Sequence, residues 1–158
     1  MQDTRRLFLK GALGTAALGV AVSAGLLKPG RVLAATWPKA AFEAEEVDVV
    51  MDTLFGTTEA KATDKINLRA PDIAENGAVV PVTVEADMDN VQSISIVAVQ
   101  NGTPLTSSYE LSSKSLPYVS NRIKMGQTSD VVAMVKTTDG AVMMTKKEVK
   151  VTIGGCGG

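Results

Sequence analysis

Seven short stretches between residues 66 and 153 alternate apolar with polar residues, as β-strands that bury one face do. Turn-forming residues separate them, and no second helix pattern interrupts the series. Many short strands in succession are typical of an antiparallel sandwich, so the sequence predicts a mainly β, immunoglobulin-like fold. The stretches cover residues 66–70, 80–85, 94–98, 103–111, 116–124, 131–136 and 141–153.

The turns and one proline refine this prediction. Asn101-Gly102 predicts a two-residue hairpin because both residues tolerate positive φ, and Asp139-Gly140 predicts a second turn before the last strand. Pro81 has no N–H to donate, so its strand should lie at a sheet edge or have a bulge there.

The core of such a sandwich has to be aliphatic. Aromatic residues make up only 4% of the chain, and a single cysteine cannot form an internal disulfide. Four methionines, Met125, Met134, Met143 and Met144, either fill gaps in this core or line a soft contact surface for a partner.

One amphipathic helix is predicted before the strands, within residues 38–55. Val47, Val50, Met51 and Leu54 recur at the spacing of one helical face, and Gly56 is suited to a left-handed cap. Two interpretations stay open: the helix covers an edge or face of the sandwich, or it pairs with a partner chain.

The beginning of the chain has the pattern of a twin-arginine export signal. An apolar run over residues 11–27 and small residues suited to cleavage follow the motif residues Arg5, Arg6, Phe8, Leu9 and Lys10. The alternative is a transmembrane anchor, which the short, glycine-rich run disfavours. We therefore expect a periplasmic protein that starts near Thr36 and keeps no membrane anchor.

These observations predict four regions: a signal peptide at 1–35, the helix at 36–57, the sandwich at 58–153 and a flexible arm at 154–158. The signal holds five of the sixteen basic residues and one of the seventeen acidic residues. Residues 36–158 thus carry 11 basic and 16 acidic side chains, a net charge of −5. This balance argues against nucleic acid or an anionic membrane as a partner.

The arm places the single cysteine, Cys156, between two glycine pairs. Gly154, Gly155, Gly157 and Gly158 leave the backbone unconstrained, so we expect an exposed thiol on a flexible segment. Terminal fraying is the plainest alternative. Prenylation would need the cysteine one position earlier, and one cysteine without any histidine does not suit a zinc, haem or iron–sulfur site. The remaining chemistry is one covalent bond at a time, with a cargo or with another cysteine.

The export signal, the segment RAPDIAENGAVVPV at residues 69–82 and the GGCGG ending together resemble the SoxY family. The resemblance implies a non-enzymatic sulfur carrier of the periplasmic thiosulfate-oxidising Sox system. Cys156 would carry thiosulfate-derived intermediates as a cysteine S-thiosulfonate, without a separate cofactor.

The resemblance also implies partners. The chain would form a heterodimer with SoxZ and meet SoxAX, SoxB and a sulfane dehydrogenase transiently. Two other functions are weighed against it: an exported structural module with a permanent interchain disulfide through Cys156, and a ubiquitin-like carrier activated at its terminal Gly-Gly. The second would need ATP, which the export signal makes inaccessible.

Overall fold

The computed structural model describes residues 37–152, and within them the chain forms two helices and nine strands. The helices are α1 (Lys39–Glu43) and α2 (Val47–Phe55). The strands are β1 (Lys61–Ala62), β2 (Ile66–Arg69), β3 (Ile73–Ala74), β4 (Val80–Ala86), β5 (Val91–Ala98), β6 (Leu105–Glu110), β7 (Tyr118–Ile123), β8 (Ser129–Thr137) and β9 (Val142–Val151). The seven predicted strands are all present, and β1 and β3 are two-residue additions.

The strands form two sheets. One has the order β2-β4-β7, and the other has the order β1-β9-β8-β5-β6, with β3 also pairing with β9. All pairings are antiparallel except those of β1 and β3, which run parallel to β9. A three-stranded sheet opposite a β9-β8-β5-β6 sheet is the arrangement of an immunoglobulin-like sandwich, so the predicted fold class is confirmed.

The space between the sheets is filled by aliphatic side chains. Every second residue of β4, from Val80 to Ala86, is buried, because alternate side chains of a strand point to the same face. Ile94 and Ile96 of β5 meet them from the opposite sheet and are fully buried. Met125 also lies in this core, which confirms gap filling for that methionine.

A second apolar cluster lies on the outer face of the larger sheet. Val50 and Met51 of α2 pack there with Val97, Val132 and Met134 of the sheet. Strands β5 and β8 are consequently buried on both faces, which explains the continuous apolar run from Val131 to Val135 in β8. The interpretation that the helical segment covers a face of the sandwich is confirmed.

The single predicted helix is in fact two. Ala44 and Glu46 have extended backbones, with ψ of 139° and 141°, and they separate α1 from α2. A continuous helix would place several carboxylates in its interior. The break instead puts Glu46 at the start of α2 and Asp48 in its first turn, where the helix dipole favours negative charge. Gly56 ends α2 with φ of 73°, as predicted.

The prediction of a two-residue hairpin turn at Asn101-Gly102 is wrong. Residues 99–104 connect β5 to β6, and neither Asn101 nor Gly102 has a positive φ. The Asn101 side chain ties this loop to the β7–β8 loop instead: Nδ2 donates to Lys124 O at 2.8 Å, and Oδ1 accepts from Gly126 N at 3.0 Å. The turn at Asp139-Gly140 is confirmed, and Gly140 has φ of 87°.

The prediction for Pro81 is wrong for the strand as a whole, because β4 is the central strand of its sheet and has no bulge at Pro81. Strand β2 pairs with β4 only as far as Arg69 opposite Thr83, so β4 has a neighbour on one side alone at Pro81. The missing N–H therefore interrupts no second ladder.

In the described residues, no helix is both long and apolar enough to span a bilayer.

Candidate functional site

The residues predicted to carry the chemistry lie outside the described part of the chain. Cys156 and the flanking glycines Gly154, Gly155, Gly157 and Gly158 follow its last residue, Thr152. The export residues Arg5, Arg6, Phe8, Leu9 and Lys10 precede its first residue, Trp37. What the structure defines is the base from which the segment containing Cys156 emerges, namely the end of β9.

The β8–β9 ladder stops before β9 does. Its last pair is Ser129 with Val149. Beyond that pair, residues 70–75, which we call the strap, run parallel to β9 and continue the hydrogen bonding. Lys150 N donates to Asp72 O at 3.0 Å, and Thr152 N donates to Ala74 O at 3.1 Å.

Side chains add two further hydrogen bonds at this end. The Thr152 hydroxyl donates to Glu75 O at 3.1 Å, and Val151 N donates to the Thr128 hydroxyl at 3.0 Å. Thr152 is therefore held to the strap by its backbone and by its side chain. The end of β9 is fixed three residues beyond its last antiparallel pair.

Lys147 fastens the beginning of the strap to β9. Its Nζ donates to Ala70 O at 2.6 Å and forms an ion pair with Asp72 Oδ1 at 2.9 Å. The Lys147 side chain is 35% exposed, whereas that of Asp72 is 88% exposed. The hydrogen bond from Lys147 and then its charge hold the pKa of the Asp72 carboxyl below its usual value.

Covalent geometry limits where Cys156 can go from this base. Four residues separate it from Thr152, so their Cα atoms are at most about 14 Å apart at 3.3–3.6 Å per residue. The thiol therefore remains close to this end of the sandwich, whatever path the intervening residues take.

A groove in the described part of the chain lies elsewhere. Its volume is about 650 Å³, and the exposed side chains of Leu116 and Tyr118 line it with Lys65 and Asp87. Asp87 also lines a depression next to the β8–β9 turn, where β9 begins. The ten residues of β9 span about 33 Å, so the groove is at the end of the sandwich opposite Thr152. It cannot serve as a pocket for Cys156 of the same molecule.

No group of three or more potential metal-ligating side chains comes together between residues 37 and 152.

The sequence alone does not predict that the strap and Lys147 contribute to the site. In the sequence, Pro71 indicates only the end of a strand, and Glu75 to Gly77 indicate only a turn. A two-residue strand has no periodicity from which its pairing with β9 could be predicted.

Comparison with solved structures first places the chain in a fold class. A superoxide reductase (neelaredoxin) from Ignicoccus hospitalis matches at 14% identity and a TM-score of 0.52, covering 58% of this chain and 94% of that one. A putative superoxide reductase from Thermotoga maritima matches at 15% identity and a TM-score of 0.50, covering 58% and 93%. At such identities the likeness shows a shared β-sandwich fold alone.

Two further matches define the family. The structure of the sulfur carrier protein SoxY from Chlorobium limicola f thiosulfatophilum is 35% identical, with a TM-score of 0.62, and the match covers 68% of this chain and 97% of that one. A family model described as "Sulfur oxidation protein SoxY" matches residues 51–156. The chain belongs to the SoxY family of sulfur oxidation proteins. A search of curated proteins gives no match.

Proposed function

We propose that this chain is a covalent sulfur carrier, which holds thiosulfate-derived intermediates on Cys156 and presents them to the enzymes of the Sox pathway. The observation that carries the proposal is the family match, because it extends from residue 51 to residue 156 and so includes the cysteine itself. The 35% identical structure described as a sulfur carrier protein supports the same role.

Loading forms one S–S bond between the Cys156 sulfur and the outer sulfur of thiosulfate, giving the S-thiosulfonate. Joining a thiolate to thiosulfate releases two electrons, and the proposal assigns them to a haem-bearing SoxAX partner. Hydrolysis by SoxB would then release sulfate and leave a sulfur atom on the cysteine, for a sulfane dehydrogenase to oxidise where one is present.

In this proposal the chain is a substrate of its partners and not a catalyst. A free cysteine has a pKa of about 8.5, so only a small fraction is thiolate at neutral pH, and efficient loading needs activation in a partner's active site. Glycines on both sides of Cys156 suit entry into the active site of a partner enzyme. A backbone without Cβ atoms can pass through a narrow entrance channel. The only bound group would be the sulfur intermediate.

We further propose that the twin-arginine signal exports the chain to the periplasm as a folded heterodimer with SoxZ. Twin-arginine export accepts folded proteins, which allows one signal to carry two chains. Leu116 and Tyr118 are two large apolar side chains that are exposed away from Thr152 and that a partner chain would cover.

The test uses the purified heterodimer, thiosulfate and the loading enzyme, followed by mass spectrometry of tryptic peptides. Cleavage after Lys150 isolates Cys156 within residues 151–158. We expect this peptide to gain the mass of a thiosulfonate in the wild type and no mass in Cys156→Ser, with both proteins equally folded.

Two outcomes would overturn the proposal. One is thiosulfate turnover in Cys156→Ser at the wild-type rate. The other is a quantitative Cys156 disulfide between chains that survives mild reductant and blocks loading, which would support the structural module instead.

A further inference from the structure

The last antiparallel pair of β9, Val149 with Ser129, leaves three described residues beyond the ladder. One hydrogen bond, from Val151 N to the Thr128 hydroxyl, links them to the β7–β8 loop. Their other fixed hydrogen bonds all go to the strap, at Asp72, Ala74 and Glu75. The strap therefore makes most of the contacts that hold the last three described residues.

We propose that the strap sets the origin of the carrier arm at Thr152, and that Lys147 and Thr152 are positioning residues for sulfur transfer. Lys147 fastens the start of the strap and Thr152 fastens its end, while Cys156 carries the sulfur. This inference rests on the proposed carrier function and adds to it the part of the domain that determines the arm's reach.

The strap is suited to this task by its own sequence. Pro71 fixes its φ and disfavours a helical backbone at Ala70, which keeps the start of the strap extended. Lys147 then reaches from β9 to Ala70 O and to the Asp72 carboxylate, so it holds the residues on both sides of Pro71. The strap is part of residues 69–82, one of the three features through which the chain resembles the SoxY family.

Loss of the strap would change the reach of Cys156 by a definite amount. Thr152 is the last residue that the strap holds, and four residues lead from it to Cys156, or about 14 Å at full extension. Without the strap, the hydrogen bond from Val151 N to the Thr128 hydroxyl is left beyond Val149; once it also opens, seven residues lead from Val149 to Cys156, or about 25 Å. If effective concentration falls with the −3/2 power of tether length, it decreases about twofold.

The neighbouring residue Lys146 provides a matched control. It also forms an ion pair from β9, with Asp130 of β8 at 2.8 Å, but it makes no hydrogen bond to the strap. Lys147→Met and Lys146→Met therefore remove the same charge and keep a similar aliphatic stem, and only the first removes contacts to the strap. Thr152→Val removes the hydroxyl at the other end with little change of shape.

The first measurement is amide hydrogen exchange on the purified full chain. We expect the amides of Lys150 and Thr152 to exchange faster in Lys147→Met and Thr152→Val, while those of Val131 to Val135 in β8 stay protected. Lys146→Met should leave Lys150 and Thr152 unchanged. Unaltered exchange at these two amides in both strap variants overturns the proposal, and so does the same acceleration in Lys146→Met.

The second measurement separates positioning from stability. One spin label is attached to Cys156 and a second to a reference cysteine introduced by Gln92→Cys at an exposed position of β5. The measurement gives the distribution of distances between the two labels. We expect a broader distribution in Lys147→Met than in Lys146→Met, and about a twofold lower kcat/KM for loading by the partner enzyme, measured at a temperature at which both variants are fully folded. Equal distributions in the two variants would overturn the inference. Failure of the carrier function is seen independently, as the absence of thiosulfonate on the peptide 151–158 of the wild type.

Discussion

Asn101 accepts a hydrogen bond from the backbone N–H of Gly126, so one side chain joins the β5–β6 loop to the β7–β8 loop. Its Nδ2 also donates to Lys124 O, and Thr128 of the same loop holds Val151. These loops lie at the end of the sandwich from which residue 153 emerges.

Replacement of Asn101 by alanine should therefore loosen this end of the domain. Two hydrogen bonds are lost, and we expect the free energy of unfolding to fall by about 1–2 kcal/mol in urea titrations. Asn67→Ala, at an exposed position of β2, is the control and should stay within about 0.5 kcal/mol of wild type. An Asn101 variant as stable as the control would contradict a linking role for this side chain.

The helix layer can be tested at two adjacent residues of α2. Val50 is fully buried against the outer face of the sheet, whereas Val49 is 48% exposed. We expect Val50→Ala to destabilise by about 2 kcal/mol through lost burial and an unfilled cavity, and Val49→Ala by less than about 0.5 kcal/mol. Thermal and urea unfolding give both values, and equal effects would contradict the packing of this face on β5 and β8.

Backbone strain predicts a difference among three glycines. Gly56 and Gly140 have φ of 73° and 87°, which side chains with a Cβ rarely adopt, whereas the φ of Gly102 is not positive. Alanine at position 56 or 140 should destabilise by about 1 kcal/mol. At position 102 a Cβ meets no atom within 4 Å, so alanine should be neutral or slightly stabilising in the same unfolding assay.

The ion pair of the strap predicts a specific pH dependence. The hydrogen bond and charge of Lys147 lower the pKa of Asp72 below its ordinary value in the folded state. A lowered folded-state pKa means that the stabilisation is fully present above the unfolded-state pKa and is lost as the pH falls through the folded-state pKa. The Lys147 contact with Asp72 should thus persist at neutral and mildly acidic pH and disappear only in strong acid.

Carboxyl-carbon NMR titration checks this directly. We expect the Asp72 pKa to rise towards its ordinary value in Lys147→Met and to remain lowered in Lys146→Met. The pKa of Lys146 itself is raised by its hydrogen bond with Asp130 and by the charge of that carboxylate, so Lys146 interacts with a different carboxylate from Asp72. No change at Asp72 in Lys147→Met would contradict the ion pair in solution.

The sequence predicts the sandwich well where a physical signal repeats along the chain. Alternation from Val80 to Ala86 marks a strand with one buried face, and Asp139-Gly140 marks a turn that requires positive φ. The helix break at Ala44 was missed because the apolar spacing continues across it. The Asn101 turn was misjudged because its side chain bonds to a distant loop, which outweighs local turn preference.

The candidate site also has one part that could be predicted from the sequence and one that could not. Its chemistry, one thiol between glycines, is local in sequence and could be predicted, and it stays a prediction because Cys156 lies outside the described residues. The strap could not be predicted, since Lys147 and Ala70 are 77 residues apart and only the complete sandwich brings them together.

That separation has a consequence for the order in which the molecule forms. Contacts between residues 77 positions apart close a large loop, and such contacts tend to form after the local hairpins are made. The attachment of Thr152 to Glu75 should be among the last events of folding. A molecule that has not completed its sandwich would therefore hold its thiol on a longer and looser tether than a finished one.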